Sequence, residues 1–449
     1  MFTEINIDAL VGPTHHFGGL GVGNVASQQH AYRTSRPREA ALEGLRKAAL
    51  VASLGVPQYI FLPPPRPRLK WLHELGLGVD STEHLSSEQL SAALQIAPQA
   101  FSAAFSCAFM WAANMATVSA ACDCRDRRLH ITPANLISSW HRASESAERA
   151  IDLKRLLGLQ DNCTIHPPLS SIVPLRDEGA ANHMRLSDPT GKIGFNIFVY
   201  GDDSELASHD CRFLPRQTRA ACEAIARRHQ LDPARTFFLQ QHPAGISAGV
   251  FHNDVIATSH ASLLIHHELA FYNAEQQLQR LEEIFRQTTG APLLRMEISN
   301  SDLPIDEAVQ SYFFNSQIIT PHTHTSSNHT PQMVLICPQQ CQRIASTGRL
   351  IERLVASSDH PIEEVHYVSL EQSMAGGGGP ACLRLRIPLA HDDIAQLPRQ
   401  LRIDRQLEER LAVAIERWYP ESLELTDLCS VAFVRELSQI SDHLQRIFN

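Results

Sequence analysis

No apolar run in this sequence reaches membrane-spanning length, which argues against a helix through a bilayer and against a membrane partner. The opening stretch MFTEINIDALVG lacks the basic-then-apolar pattern of a secretory leader. Positive charge is also in short supply. Lys and Arg number 39 against 48 Asp and Glu, and the formal net charge is −9. Nucleic-acid binding needs clustered Lys and Arg to neutralise phosphates, so that class of partner is excluded. Arginine greatly outnumbers lysine, but the arginines are scattered and read mostly as solvated surface. The ten cysteines follow no regular framework, which in 449 residues suits a reducing cytoplasm better than a disulfide scaffold. No low-complexity linker, domain boundary or repeat of fixed period stands out. What is present is 43% hydrophobic and 19% charged, the composition of a globular protein with a large core. The expectation is a cytoplasmic globular enzyme, one domain over residues 1–449.

The most informative stretch is SMAGGGGPACLRLR, residues 373–386. Four consecutive glycines leave the backbone free to pass close to a ligand, and Pro380 fixes the exit of that loop. Leu383, Leu385 and Ile387 then alternate with Cys382, Arg384 and Arg386, as in a strand with one apolar face. Cys382 falls on the polar face beside the loop. A cysteine used only for packing would sit among the leucines, so Cys382 is a candidate nucleophile.

Taken in order, residues 5–30 are dense in turn formers and read as a mobile loop, either a lid over a substrate or a connector. No strand–loop–helix unit or Lys-Ser/Thr pair accompanies its glycines, so it is not a P-loop. A helix is expected over 37–54 and a buried strand over 56–64, with helices near 69–75 and 87–96. Residues 110–122 read as an alanine-rich helix carrying Asn114, an amide that is either a satisfied core group or a ligand contact. Strands are expected in RLHITPANL, GFNIFVYG, RTFFLQQHP, GVFHNDVIATS, SLLIHHELAF, QMVLICP and VHYVSLEQS. Helices are expected over 215–231, opening with Arg216, over 271–287 and 306–319, and through most of 406–448. Strands and helices alternate throughout, which makes the fold α/β.

If GVFHNDV is a strand, His252 and Asp254 share a face. Such a pair can serve as general base and cation anchor, or as two metal ligands, or form the solvated face of a half-buried strand. Glu178 follows Asp177 in the turn-rich RDEGAANH and by itself reads no more strongly than a solvated acid or a cap. His141, Arg142 and Arg216 would suit carboxylate recognition through guanidinium forks, or be surface residues. His15–His16, His266–His267, and His322, His324 and His329 lack paired ligand spacing on a defined element. Cys122-x-Cys124 and Cys337-x₃-Cys341 lack a second matching pair, so zinc is discounted. Two carboxylates near a cysteine raise its pKa unless a bound cation offsets them. The carbon attacked by Cys382 should therefore belong to a planar cation, and a guanidinium fits.

At these residues the chain resembles the succinylarginine dihydrolase family of the guanidino-modifying (pentein) superfamily. The resemblance rests on VGPTHHFGGLGVGNVAS, FMWAANMAT, HITPANL, WHR, RDEGAANH, PRQTR, GVFHNDVIA, FNSQ and GGGPACLRLR, spread from the N-terminus to about Pro388. It implies an α/β fold, a pseudo-fivefold propeller of ββαβ-type units around a central site, in a cytoplasmic homodimer without cofactor or metal. The implied reaction takes N2-succinyl-L-arginine and two waters to N2-succinyl-L-ornithine, carbon dioxide and two ammonia. The implied nucleophile is Cys382, with His252 and Glu178 as acid/base partners. Implied substrate contacts are Gly18, Gly19, Leu20, Gly21, Val22, Gly23, Asn24, Val25, Ala26 and Ser27, then Asn114, His141, Arg142, Arg216 and Asp254. Gly376 stands where the family pattern has an asparagine that contacts substrate, so that side-chain hydrogen bond is missing here.

Overall fold

The computed structural model describes residues 2–79, 84–157, 162–203, 211–321 and 332–448. His322, His324 and His329 lie outside them. The described chain makes five three-stranded sheets. The first is built on β1 (Phe2–Ala9), α1 (Pro37–Ser53) and β2 (Gln58–Phe61). The second holds β3 (Ala116–Ser119), β4 (Leu129–Pro133), α2 (Ser146–Leu157) and β5 (Cys163–Ile165). The third holds β6 (His183–Ser187), β7 (Gly194–Tyr200), α3 (Arg219–Arg228) and β8 (Thr236–Gln240). The fourth holds β9 (Ala257–His260), β10 (Leu263–His267), α4 (Glu275–Thr289) and β11 (Leu294–Ile298). The fifth holds β12 (Gln317–Ile319), β13 (Met333–Pro338), α5 (Ala345–Ala356) and β14 (Ile362–Val368). Finally β15 (Arg384–Ala390) returns to the first sheet, and α6 (Arg405–Trp418) and α7 (Val431–Phe448) end the chain.

Every unit repeats one pattern: the middle strand pairs antiparallel with one edge and parallel with the other. In the first unit the antiparallel edge comes from the far end of the chain, with Phe2 opposite Ala390 and Asp8 opposite Arg384. The two ends thus close the ring in one sheet, and the architecture is the α/β pentein propeller. Faces of adjacent units share apolar clusters. Ile5, Ile7, Leu385 and Ile387 of the first pack with Val118, Ile131 and Leu153 of the second. Helices α6 and α7 bury Leu411, Ile415, Leu437 and Ile440 in a cluster with Ala41 and Leu45 of α1.

What positions the site is how the antiparallel edge strands begin. Short 3₁₀ turns precede four of them: Ala112–Asn114 before β3, Gly179–Asn182 before β6, Asn253–Val255 before β9 and Phe313–Asn315 before β12. Consecutive turns touch, and the first touches β15, which follows Cys382. Polar side chains from five distant segments therefore converge at one end of the propeller.

These turns correct several expectations. Residues 110–122 are not a helix but two 3₁₀ turns, β3 and a third turn. All four β3 residues are buried, so the alternation that marks a strand is missing, while alanine imitates helix composition. His252 and Asp254 are not on a strand either; His252 precedes the turn Asn253–Val255, Asp254 lies within it, and β9 starts only at Ala257. Residues 306–319 hold a short helix, a turn and β12 rather than one helix, and 271–287 becomes helical only at Glu275. The third helix opens at Arg219, capped by the Thr218 side chain on the Ala221 N–H, so Arg216 lies in the preceding loop. Within residues 5–30 the first five complete β1 and Val25–Gln29 form a short helix. Of the four glycines, Gly376 ends the helix Glu371–Gly376 and Gly377 alone needs the left-handed region, at φ +106°.

Candidate active site

Cys382 is held by the turn before β12. Its backbone N–H donates to Asn315 Oδ1 at 3.2 Å, and Asn315 Nδ2 donates to Cys382 Sγ at 3.2 Å. The Ala381 N–H also bonds the Asn315 carbonyl, at 2.9 Å. The thiol in turn donates to Asp254 Oδ2 at 3.4 Å. Burial, and next the Asp254 charge, push the Cys382 pKa well above its ordinary value, so at rest the group is a thiol. Burial likewise raises Asp254 to about 6.

Glu178, with no exposed surface, anchors the second half of the site. His252 Nε2 lies 2.6 Å from its Oε2, Arg142 Nη1 donates to the same oxygen at 3.0 Å, and Ser138 Oγ donates to Oε1. Arg216 Nη1 stands 4.0 Å from Oε2. The backbone is pinned as well: the Glu178 N–H bonds Gln217 Oε1 at 2.7 Å and its carbonyl accepts from Asn114 Nδ2 at 2.9 Å. Burial opposes ionisation, but Arg142, the His252 bond and Arg216 outweigh it and hold the Glu178 carboxyl well below the usual range. Burial pushes His252 down to about 4 despite the Glu178 bond. At neutral pH the pair is carboxylate and neutral imidazole. Burial and then Arg142 also keep His141 neutral.

Arg216 spans the site. Its Nη2 donates to the Val22 carbonyl and its guanidinium lies 5.0 Å from the centre of the Phe251 ring. Burial lowers it to about 10. Across the cavity, Asn24 joins the two glycine-rich loops: Oδ1 caps the helix Val25–Gln29 by accepting from the Ser27 N–H, while Nδ2 donates to the Gly377 carbonyl at 2.9 Å.

Together these groups wall a cavity with about 720 Å³ of atom-free space. Gly18, Gly19, Leu20, Gly21, Asn24, Ser27, Asn114, His141, Arg142, Arg216, His252, Gly376 and Cys382 line it. Asp254 and Glu178 stand behind the wall, against Cys382 and His252. Val22, Gly23, Val25 and Ala26 are off the wall; Val22 is half exposed and reaches the site only through its carbonyl. Among the described residues, His252 Nδ1, Arg142 Nη2, His141 Nδ1, Ser139 Oγ and Trp111 Nε1 are buried without a hydrogen-bond partner. Buried polar atoms are normally paired, so a cavity presenting this many is shaped for a polar ligand. No group of three or more His, Cys, Asp or Glu among the described residues is arranged to hold a metal ion.

The succinylarginine dihydrolase family model matches residues 1–449. This chain belongs to the succinylarginine dihydrolase family. The N-succinylarginine dihydrolase of Legionella pneumophila (strain Paris) is 39% identical over 448 residues, covering 99% of this chain and 97% of that protein. The corresponding protein of Marinobacter nauticus is 40% identical over 446 residues, covering 99% and 96%. The N-terminal domain of ArgZ, an arginine dihydrolase from the ornithine-ammonia cycle in cyanobacteria, shares the fold with a TM-score of 0.51 at 13% identity, over 86% of this chain and 97% of that one. AgrE in complex with ornithine and NAD+ does so with a TM-score of 0.52 at 15% identity, over 87% of this chain and 40% of that one.

Three residues of this cavity and its surroundings carry no sequence assignment. Asn315 orients the thiol, Ser138 completes the Glu178 shell and Trp111 walls the cavity. Asn315 and Trp111 sit inside the matched stretches FNSQ and FMWAANMAT, the one signal that pointed to them.

Proposed function

We infer that this chain hydrolyses the guanidino group of N2-succinyl-L-arginine through a covalent intermediate on Cys382. The observation that carries this reading is the Cys382–Asp254 contact at a cavity that also presents His252, Arg142 and Arg216, held by the ionised Glu178. The Asp254 carboxylate meets the substrate's guanidinium, and that cation in turn stabilises a thiolate which burial alone disfavours. His252, neutral at rest, takes the thiol proton. Sulfur bonds to the guanidinium carbon, the carbon–nitrogen bond breaks, and His252 returns the proton to the departing ammonia. Water then attacks the carbon and displaces sulfur, leaving a ureido compound and a free thiol. A second round expels the second ammonia, and a second water yields a carbamate that falls apart to carbon dioxide and the ornithine amine. Two waters enter and two ammonia leave.

Glu178 acts through His252, fixing its orientation and stabilising its protonated form. The two arginines outnumber Glu178 by one positive charge, and with the unpaired Arg142 Nη2 they suit the succinyl and α-carboxylates. Measuring ammonia against substrate consumed tests the reading. Two ammonia per N2-succinylarginine is the expected result; a final value of one would make the enzyme a deiminase, and none would refute the substrate.

A further inference from the structure

Behind Cys382 the propeller interior is polar, and a second cavity lies at the opposite face. Strands β9, β12 and β15 start at the active-site end, next to Asp254, Asn315 and Cys382, and finish at the far end. There Glu4, Asn6, Arg185, Ser187, His260 and Thr320, from four of the five units, surround about 940 Å³ of atom-free space. From the Asp254 side of Cys382 to the rear cavity, eight buried polar atoms have no hydrogen-bond partner among the described residues: Asp254 Oδ1, Arg384 Nε, both side-chain polar atoms of Gln317, Ser259 Oγ, both of Asn6, and His260 Nδ1, which stands 3.9 Å from Glu4 Oε1. Asn6 and Gln317 have no exposed surface, and Ser259 and His260 are also buried.

The order along the axis follows from pairing. Gln317 lies two residues beyond Asn315, which bonds Cys382 Sγ. Arg386, two residues past Arg384, donates to the Ser259 carbonyl at 2.8 Å and faces Asn6 across the β1–β15 pair. His260 Nε2 bonds Thr320 Oγ1 at 2.9 Å at the far mouth. A dry interior would leave all eight atoms unsatisfied, a cost comparable to the whole stability of a domain. A buried water makes about three hydrogen bonds, so roughly three waters would satisfy them.

We propose that this interior is a hydrated passage from the Asp254 side of Cys382 to the rear cavity, and that water and ammonia exchange through it while substrate fills the front cavity. The passage rests on the hydrolytic reading above, in which one bound molecule must take up two waters and shed two ammonia. The front offers a poor route meanwhile, because Asn24 and Arg216 tie the Gly18–Ser27 loop to Gly377 and across the cavity. The file sets the Asp254 carboxylate and the Arg384 and Arg386 guanidinium groups among amide, hydroxyl and imidazole groups, and water and ammonia can hydrogen-bond to all of them.

The test narrows the passage away from the reacting groups. Asn6→Leu, nearly isosteric, puts an apolar side chain where the passage meets the rear cavity, and Thr320→Trp blocks the rear mouth. Each is expected to lower kcat about fivefold or more with KM little changed, as for an obstructed release step. Ammonia per substrate should fall from two toward one as the ureido compound escapes from the front. Thr320→Ser, which keeps the hydroxyl, should behave as the unmodified protein. Folded variants with unaltered kcat and two ammonia overturn the passage, as does a rise in Tm of Asn6→Leu, which would mean a dry interior. A crystal structure of the unmodified protein fine enough to place water needs no variant: water bonded to Asn6, Ser259 and Gln317 supports the passage, and an interior without it overturns it. If the unmodified protein releases no ammonia from N2-succinylarginine, the hydrolytic reading fails instead.

Discussion

At the scale of single residues, the reading assigns separate jobs to groups a few ångström apart, and each is open to substitution. Cys382→Ser should fold and lose turnover, because a buried hydroxyl is far harder to ionise than a thiol; a rate near that of the unmodified protein would remove Cys382 from the chemistry. Asp254 carries charge above about pH 6 and is neutral below it. Since its charge meets the guanidinium, kcat/KM should fall as pH drops through about 6, and a profile flat down to pH 5 would contradict that role. Gly376→Asn supplies the amide that the family resemblance implies at this position. Its Cβ would stand 3.1 Å from Trp111 Cζ2, so the indole must yield by a few tenths of an ångström. A neutral hydrogen bond adds about 0.5–1.5 kcal/mol, so KM should fall roughly two- to tenfold with kcat little changed. A higher KM would mean that the Trp111 contact dominates. Cys382 was legible from the glycine loop and the alternation that follows it, although the structure places it in the turn before β15 rather than on the polar face of that strand. Glu178 was not: an acid in a turn looks solvated until the fold puts His252, Arg142 and Ser138 around it.

The elements that carry the site are turns of three or four residues, and this is where sequence periodicity is weakest. A 3₁₀ turn is shorter than one hydrophobic period, so Asn253–Val255 passes for the start of β9 and Phe313–Asn315 for the end of a helix. The longer elements α1 and β7 match their expected ranges within a few residues, because each spans several periods. Asp177, at the turn before β6, makes an element-scale prediction. It accepts from the Gly179 N–H and Gln217 Nε2, yet burial raises its carboxyl to about 7. A raised folded-state pKa means that its contribution to stability is full below the ordinary carboxylate range and is lost as pH rises through about 7. Asp177→Asn should therefore stabilise the protein at pH 8 by roughly 1–4 kcal/mol and change little at pH 4. Chemical denaturation at the two pH values checks this; equal effects at both would contradict it.

Over the whole molecule, fivefold symmetry was reachable only through the family resemblance. The units share strand order but not sequence, the intervening helices differ in length, and the first unit is split between the two ends of the chain. The pairing of β1 with β15 makes that closure part of the global fold. Ile7, fully buried and opposite Leu385, should cost about 2–5 kcal/mol when cut to alanine, read as a lower denaturant midpoint. The same closure brings Cys382, near the end of the chain, beside a ring of turns drawn from the other four units. Their convergence on one sulfur is the central claim, and intact mass measurement of enzyme quenched in acid during turnover of N2-succinylarginine tests it most directly. An adduct weighing the substrate less one ammonia, mapped to the peptide that holds Cys382, is the predicted result. Turnover with no adduct at any quench time, or with one on another residue, would contradict the account.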